Sequence, residues 1–172
     1  MKKNNNKGFS LFEMVAVIAI VAIMMTIVAI SIGTAGRNEV FRTSEKIESL
    51  LNQARVYALT KGSDEGYVSV AKTSSGYYAY VGNPDNIKAV GEDGSKFVSA
   101  EEVKKKGDKI GNANLDISFN GIIADDSVNQ IHFKQSTGGL YPGSGNVVQV
   151  KNKKMKSAII YIYPATGKTY TN

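Results

Sequence analysis

The chain changes its hydrophobic pattern twice. From Met14 to Ile32 nearly every residue is apolar and none is charged, a length close to the roughly 20 residues a helix needs to span a bilayer core. Ahead of this run stand Lys2, Lys3 and Lys7, then Gly8, Phe9 and a lone carboxylate at Glu13. Behind it, Gly33 and Gly36 loosen the helical signal, and a new periodicity begins. Val40, Ile47, Leu51, Ala54 and Ala58, joined by Leu50 and Tyr57, form one stripe, while Arg42, Glu45, Lys46, Glu48, Gln53 and Arg55 occupy much of the rest. That spacing predicts an amphipathic helix, closed by Lys61-Gly62. A continuous helix from Phe9 to Lys61 would be roughly 80 Å long.

After Gly62 the alternation is that of strands and turns. Tyr67–Ala71 and Tyr77–Val81 flank Lys72–Gly76 as a hairpin, and Asn83-Pro84-Asp85-Asn86 is a turn. The pattern weakens from Ile87 to Gly111, where Glu92-Asp93-Gly94-Ser95 reads as a loop and Glu101–Lys109 as a charged short helix. Strands resume at Leu115–Phe119, Val128–Phe133, Val147–Val150 and Ala158–Tyr163, with a weaker one at Lys168–Thr171. Glycine-rich breaks separate them, and no internal repeat is visible. The organisation expected is residues 1–8 as a basic leader, 9–32 as an apolar helix, 33–61 as its amphipathic continuation, and 62–172 as a β-rich head.

Composition narrows the function classes. At 172 residues with a formal charge of +6, the chain suits one membrane helix and one small domain. Lys2, Lys3 and Lys7 supply three of those charges, so the remainder is mildly basic and does not by itself demand a polyanionic partner. Cysteine is absent, which excludes a disulfide framework and thiolate metal sites.

Three readings fit a basic leader before an apolar run. A cleaved secretory signal matches the lysines, and Ala29-Ile30-Ser31 passes for its cleavage site, but its apolar core should be only about 7–15 residues long. A plain anchor explains the length and, by the positive-inside rule, places the C-terminus outside, yet it leaves Gly8-Phe9 and Glu13 unexplained. The third reading uses those residues: KGFSLFEM, Lys7 to Met14, resembles the class III signal of type IV prepilins. The resemblance implies cleavage between Gly8 and Phe9, N-methylation of Phe9, and Glu13 as the fifth mature residue. Ser10 and Phe12 depart mildly from the commoner threonine and aliphatic. It further implies prepilin peptidase, other pilin subunits and an assembly-platform membrane protein as partners. The protein would be held by a single pass in the cytoplasmic membrane, then built into an extracellular or periplasmic filament.

Physical chemistry gives Glu13 a role within that reading. The carboxylate lies one turn into the helix, at the positive end of its dipole. An uncompensated charge in hydrocarbon costs about 2.5–3.5 kcal/mol on insertion scales. Pairing of Glu13 with the Phe9 ammonium of a neighbouring subunit would remove that cost and set the axial stagger between subunits. Phe9 and Glu13 are thus the candidate assembly residues, and the mature N-terminus separates the readings: Phe9, a start near Ile32, or Met1.

The fold class expected is α+β and pilin-like: one long N-terminal helix packed on a C-terminal antiparallel sheet. Within pilins the chain is similar to the GspH/FimT group of minor pilins or pseudopilins. That likeness rests on Ile47–Lys61 with Ala54-Arg55, a strand ending Ile131-His132-Phe133, Gly138-Gly139, and an isoleucine-rich strand before Thr166-Gly167-Lys168. Competence pseudopilins of Gram-positive bacteria are close rivals. No catalytic residue, cofactor or metal site is expected. Thr166-Gly167-Lys168-Thr169 lacks the earlier glycine of a phosphate loop, since Ile162 stands there. His132 is the single histidine and has no partner set for catalysis, while Asp125-Asp126 and Glu92-Asp93 lack calcium-loop spacing. Lys151, Lys153, Lys154, Lys156 and Lys168, interleaved with Tyr161, Tyr163 and Tyr170, are candidate DNA contacts, or lysines protecting an edge strand. The expected function is therefore a non-enzymatic filament subunit, with a DNA- or surface-ligand-binding minor pilin as the alternative. A secreted or anchored β-domain unrelated to filaments is the remaining one.

Overall fold

The computed structural model describes residues 10–120, 122–123, 128–152 and 157–172, with 26–37 and 122–123 described by backbone alone. Helix α1 runs Leu11–Lys61, so Gly33 and Gly36 remain within it, and Gly62 leaves it at φ 114°, a conformation open to glycine. The strands follow in order: β1 (Tyr67–Thr73), β2 (Gly76–Val81), β3 (Lys88–Val90), β4 (Lys96–Val98), then helix α2 (Ala100–Lys106), β5 (Asp108–Gly111), β6 (Leu115–Phe119), β7 (Ile122–Ile123), β8 (Val128–His132), β9 (Val147–Asn152), β10 (Ala158–Ile162) and β11 (Thr169–Thr171). The α+β, pilin-like class expected from the sequence is what is found. The sheet differs in detail: among the described residues there are two antiparallel sheets, ordered β5-β2-β1-β8 and β11-β10-β9-β6-β7, and a separate β3-β4 hairpin.

The chain divides into two compact units, one ending at Gly36 and the other running Arg37–Asn172. In the second, the C-terminal part of α1 contributes Val40, Ile47, Leu51, Ala54 and Ala58 to the main core, the stripe expected from periodicity. They pack with Val68, Val70, Tyr77, Ala79 and Ile131 from the first sheet and with Leu115, Ile117, Val148, Val150, Ile160 and Ile162 from the second. Close approach is enforced where β1 begins: a Cβ on Gly66 would lie 2.5 Å from the Ala58 Cβ.

The segment 84–107, weakly patterned in sequence, covers the other face of the first sheet. Ile87 and Val103 pack there on Ala71, with Tyr78, Tyr80, Val98 and Ala100 around them. Only one residue of α2 is fully buried, Val103, which is why no clear periodicity announces it. The helix also stops at Lys106 rather than Lys109, because Gly107 approaches Ala79 so closely that a Cβ would sit 2.3 Å from its carbonyl oxygen. β5 then pairs with β2.

Leu51 is fully enclosed in the core whereas Val56, on the opposite side of the same helix, is half exposed. Leu51→Ala is expected to lower unfolding stability by about 2–5 kcal/mol, and Val56→Ala by under about 0.5 kcal/mol. Chaotrope unfolding of the two variants side by side checks this, and equal losses would place the packing stripe elsewhere.

Candidate functional site

At the amino-terminal end, Ser10 is the N-cap of α1. Its backbone N–H donates to Glu13 Oε2 at 2.8 Å, and the Glu13 N–H donates back to Ser10 Oγ at 3.2 Å. The Met14 N–H meanwhile reaches the Ser10 carbonyl. This reciprocal capping box satisfies donors that a helix start otherwise leaves open. The S-x-x-E spacing was its signal in the sequence, overshadowed there by the question of what the carboxylate pairs with. Gly8 and Phe9 lie outside the described residues. Beyond the box, Leu11, Phe12, Ile18, Ile23, Met24 and Met25 are all exposed, and Glu13 is the one charge from Ser10 to Met25. Among the described residues no helix is long and apolar enough to cross a membrane. Side chains of the apolar run are described only to Met25, so the expected span to Ile32 extends beyond them.

The head presents two aromatic arrangements. In the first, His132 lies between Tyr67 and Tyr141, with ring centroids 3.7 and 4.0 Å away and planes within 14° of parallel. The imidazole Nε2 meets the Ser63 carbonyl at 3.0 Å, and Tyr141 Oη donates to Ser63 Oγ. Lys134 Nζ sits over the Tyr141 ring. The stack thus ties the exit of α1 to the first strand, the end of β8 and the following loop. Burial pushes the His132 pKa down, against the Ser63 carbonyl and Asp64, which push it up. Burial likewise raises Tyr67, aided by the charge of Asp64. His132 therefore acts as a structural clamp. No sequence signal pairs these rings, since Tyr67 and His132 come together only through β1–β8 pairing.

The second arrangement is on the face of the second sheet turned away from the core. Tyr161 and Tyr170 are cross-strand partners with centroids 4.9 Å apart, and Tyr163 joins at 5.5 Å from Tyr170. Lys168, exposed, stands beside them, its carbonyl accepting from the Tyr163 N–H. Lys151 is on the same face but directly across from Asp116. It lies beyond the far end of β10, roughly 20 Å from Lys168 at about 3.3 Å per strand residue. Lys153, Lys154 and Lys156 are outside the described residues, as are Asp125 and Asp126.

The Thr166-Gly167-Lys168-Thr169 turn is not an anion cradle. The Thr166 and Gly167 N–H groups both donate to the Tyr163 carbonyl, and Arg55 Nε donates to the Thr166 carbonyl at 2.7 Å. Gly167, at φ 66°, packs against the Gly138 carbonyl, and Gly138 lies against Arg55. The Ala54-Arg55, Gly138-Gly139 and Thr166-Gly167 elements noted in the sequence therefore meet at one junction. Asp93 folds onto Ser95 through the Ser95 N–H and hydroxyl, which hold its carboxyl below the usual range. Among the described residues no group of three or more potential metal ligands occurs.

Because folding lowers the His132 pKa, the unfolded chain takes up a proton first as pH falls through about 6.5. Stability present above that pH should decline below it. Between pH 7.5 and 5.5, His132→Gln should show a smaller loss of unfolding midpoint than the parent; parallel losses would mean the stack does not favour the neutral ring.

Comparison with protein-family models gives one match, to the prokaryotic N-terminal methylation motif over residues 3–34. Comparisons with curated proteins and with solved structures return no match. The matched segment takes in Gly8, Phe9, the Ser10–Glu13 box and the apolar run to Ile32. The chain thus carries, over residues 3–34, the prokaryotic N-terminal methylation motif, the class III prepilin signal that supports a type IV pilin-like reading.

Proposed function

We propose that this protein is a minor pilin or pseudopilin, of the GspH/FimT kind, in a type IV pilus-like or type II secretion-like filament. It acts as a structural subunit and not as an enzyme. The observation that carries this reading is the methylation motif over residues 3–34, which runs into a helix whose later part is built into a β-rich head. Prepilin peptidase cuts between Gly8 and Phe9 on the cytoplasmic side. The helix holds the subunit in the cytoplasmic membrane, and the assembly platform then draws it into the polymer. In the filament, Glu13 meets the Phe9 ammonium of a neighbouring subunit while the head faces outward. The subgroup rests on the sequence likeness of Ile47–Lys61, Gly138-Gly139 and Thr166-Gly167-Lys168.

A second reading, a head that binds single-stranded DNA, is favoured by one arrangement: the stacked Tyr161 and Tyr170 with Tyr163 tilted beside them, Lys168 at one end of the outer sheet face and Lys151 at the other. Aromatic faces stack bases while lysines hold the phosphate backbone. This property is compatible with filament membership.

Two experiments test these readings. Mass spectrometry of the mature protein should find an N-methylated Phe9, and Glu13→Ala should remain processed but be lost from sheared filaments; an intact Met1 or a start near Ile32 removes the filament reading. For the head, the full chain in detergent should bind single-stranded oligonucleotide with affinity falling as salt rises. Lys168→Ala should reduce the slope of log K against log salt by about 0.7, and absence of binding at low salt removes the second reading.

A further inference from the structure

The β3–β4 hairpin belongs to neither large sheet, and its base is held to the body through Ile87 and Val98. Nearer its tip, Phe97 is 51 % exposed on one face and Val90 67 % on the other. So short a hairpin gains little from its own strand pairing, yet this tip is fixed. The Gly91 N–H donates to the Ser95 carbonyl and the Gly94 N–H to that of Gly91, while Asp93 accepts from the Ser95 amide and hydroxyl. The Phe97 ring and the Asp93 carboxylate close around Gly91, where a Cβ would touch both. The result is a rigid finger with an aromatic ring beside two carboxylates. Neither Glu92 nor Asp93 forms an ion pair among the described residues.

A cleft of about 360 Å³ between α1 and β5 has the opposite character. Leu50, half-buried, and Ile110, almost fully buried, give it an apolar floor, and the exposed Lys46, Ser49, Asp108 and Lys109 form its rim. Its two walls are tied together, because Thr43 donates to the Ile110 carbonyl and Lys46 to that of Lys109. Lys46 and Lys109 likewise form no ion pair among the described residues. Two unpaired cations thus flank an apolar floor, as two unpaired anions flank an apolar ring on the finger.

We propose that finger and cleft are the two halves of one contact between copies of this chain. Phe97 of one copy enters the cleft of the next, and Glu92 and Asp93 meet its Lys46 and Lys109. Apolar surface meets apolar surface at the centre, and opposite charges meet at the rim. Lys96 on the finger and Asp108 at the cleft are a further opposite pair. Both halves are preformed, so little ordering is lost on contact. Finger and cleft are different surfaces of one molecule, so the contact is heterologous. It therefore continues from copy to copy unless the rotation closes a ring. This goes beyond the filament reading: it is a contact between heads, and neither Phe9 nor Glu13 takes part in it.

The experiment uses the full chain in its own host, with the photoreactive substitution Phe97→p-benzoylphenylalanine, and maps the cross-links by mass spectrometry. The expected product is a ladder of dimer, trimer and higher species, joined at peptides that contain Leu50 or Ile110. Glu92→Lys and Lys109→Glu should each lower the ladder about threefold, the scale of a rim charge pair, and the two together should restore it. Ser49→Trp, which fills the cleft from an exposed position, should abolish the ladder and leave the unfolding midpoint of the chain unchanged. Three results overturn the proposal: cross-links only to other parts of the chain or to other proteins, a product that stops at the dimer, or a double charge variant as poor as the single ones. An unprocessed Phe9 in a chain that still gives the ladder removes the filament reading and leaves this contact standing. A methylated Phe9 without the ladder does the reverse.

Discussion

The head depends on one narrow stripe of α1. Val40, Ile47, Leu51, Ala54 and Ala58 are all but fully buried, and both sheets pack against them. The small side chain of Ala58 lets the backbone at Gly66 come close, where a larger one would hold the first sheet away. On either side of the stripe, polar side chains fasten the sheet edges. On one flank Thr43 donates to the Ile110 carbonyl and Lys46 to that of Lys109, both in edge strand β5. On the other, Thr169 and Thr171 of edge strand β11 donate to the two oxygens of Glu48, Asn52 donates to Thr169, and Arg55 holds the turn before it. Open sheet edges invite pairing with other chains, and here one helix fastens one edge strand of each sheet, β5 and β11.

That arrangement explains which surfaces remain for function. The first sheet is covered on its second face by α2 and the segment around Ile87. On the outer face of the second sheet the tyrosines collect, with Tyr163 and Tyr170 each about half exposed. Clustered aromatics left half exposed are an unusual use of large apolar surface, since such area is normally removed from water. At the same time Arg55 and the glycine turns keep the approach to β11 rigid, so the tyrosine rings have a fixed platform. The histidine stack does comparable work at the far end of the helix, where Ser63, β1 and β8 meet.

Much of the fold was legible in the sequence because burial on one face writes a period into the chain. α1, β1, β2, β6, β8, β9 and β10 each carry one, and their ends fall within a few residues of expectation. β3, β4, β5 and α2 were obscure for the opposite reason: they bury few side chains, and Val90 and Phe97 on the hairpin are exposed. The capping box was legible too, as Ser10 three residues before Glu13, but a carboxylate before an apolar run draws attention to distant partners ahead of the nearest amide. The Tyr67–His132–Tyr141 clamp had no such signal. It exists only because Tyr67 pairs with His132 across β1 and β8, and strand register is set by the whole sheet.

The first part of α1 poses a different problem from the head. Its apolar side chains are exposed around the helix, Leu11 by 84 % and Phe12 by 81 %, and a helix hydrophobic all round belongs inside something. Lipid tails and a bundle of identical helices serve almost equally for leucine, valine and isoleucine, because both are apolar surroundings with little driving force between them. Nearly every side chain from Leu11 to Met25 is therefore indifferent to whether the helix rests in a membrane or in a polymer. Glu13 is the exception. Its own chain offers Ser10, which satisfies one oxygen in either setting, and lipid offers nothing for the other. A neighbouring amino terminus offers a full charge. On the filament reading proposed above, a segment that is at home in a bilayer yet prefers a polymer needs only one group that tells the two apart.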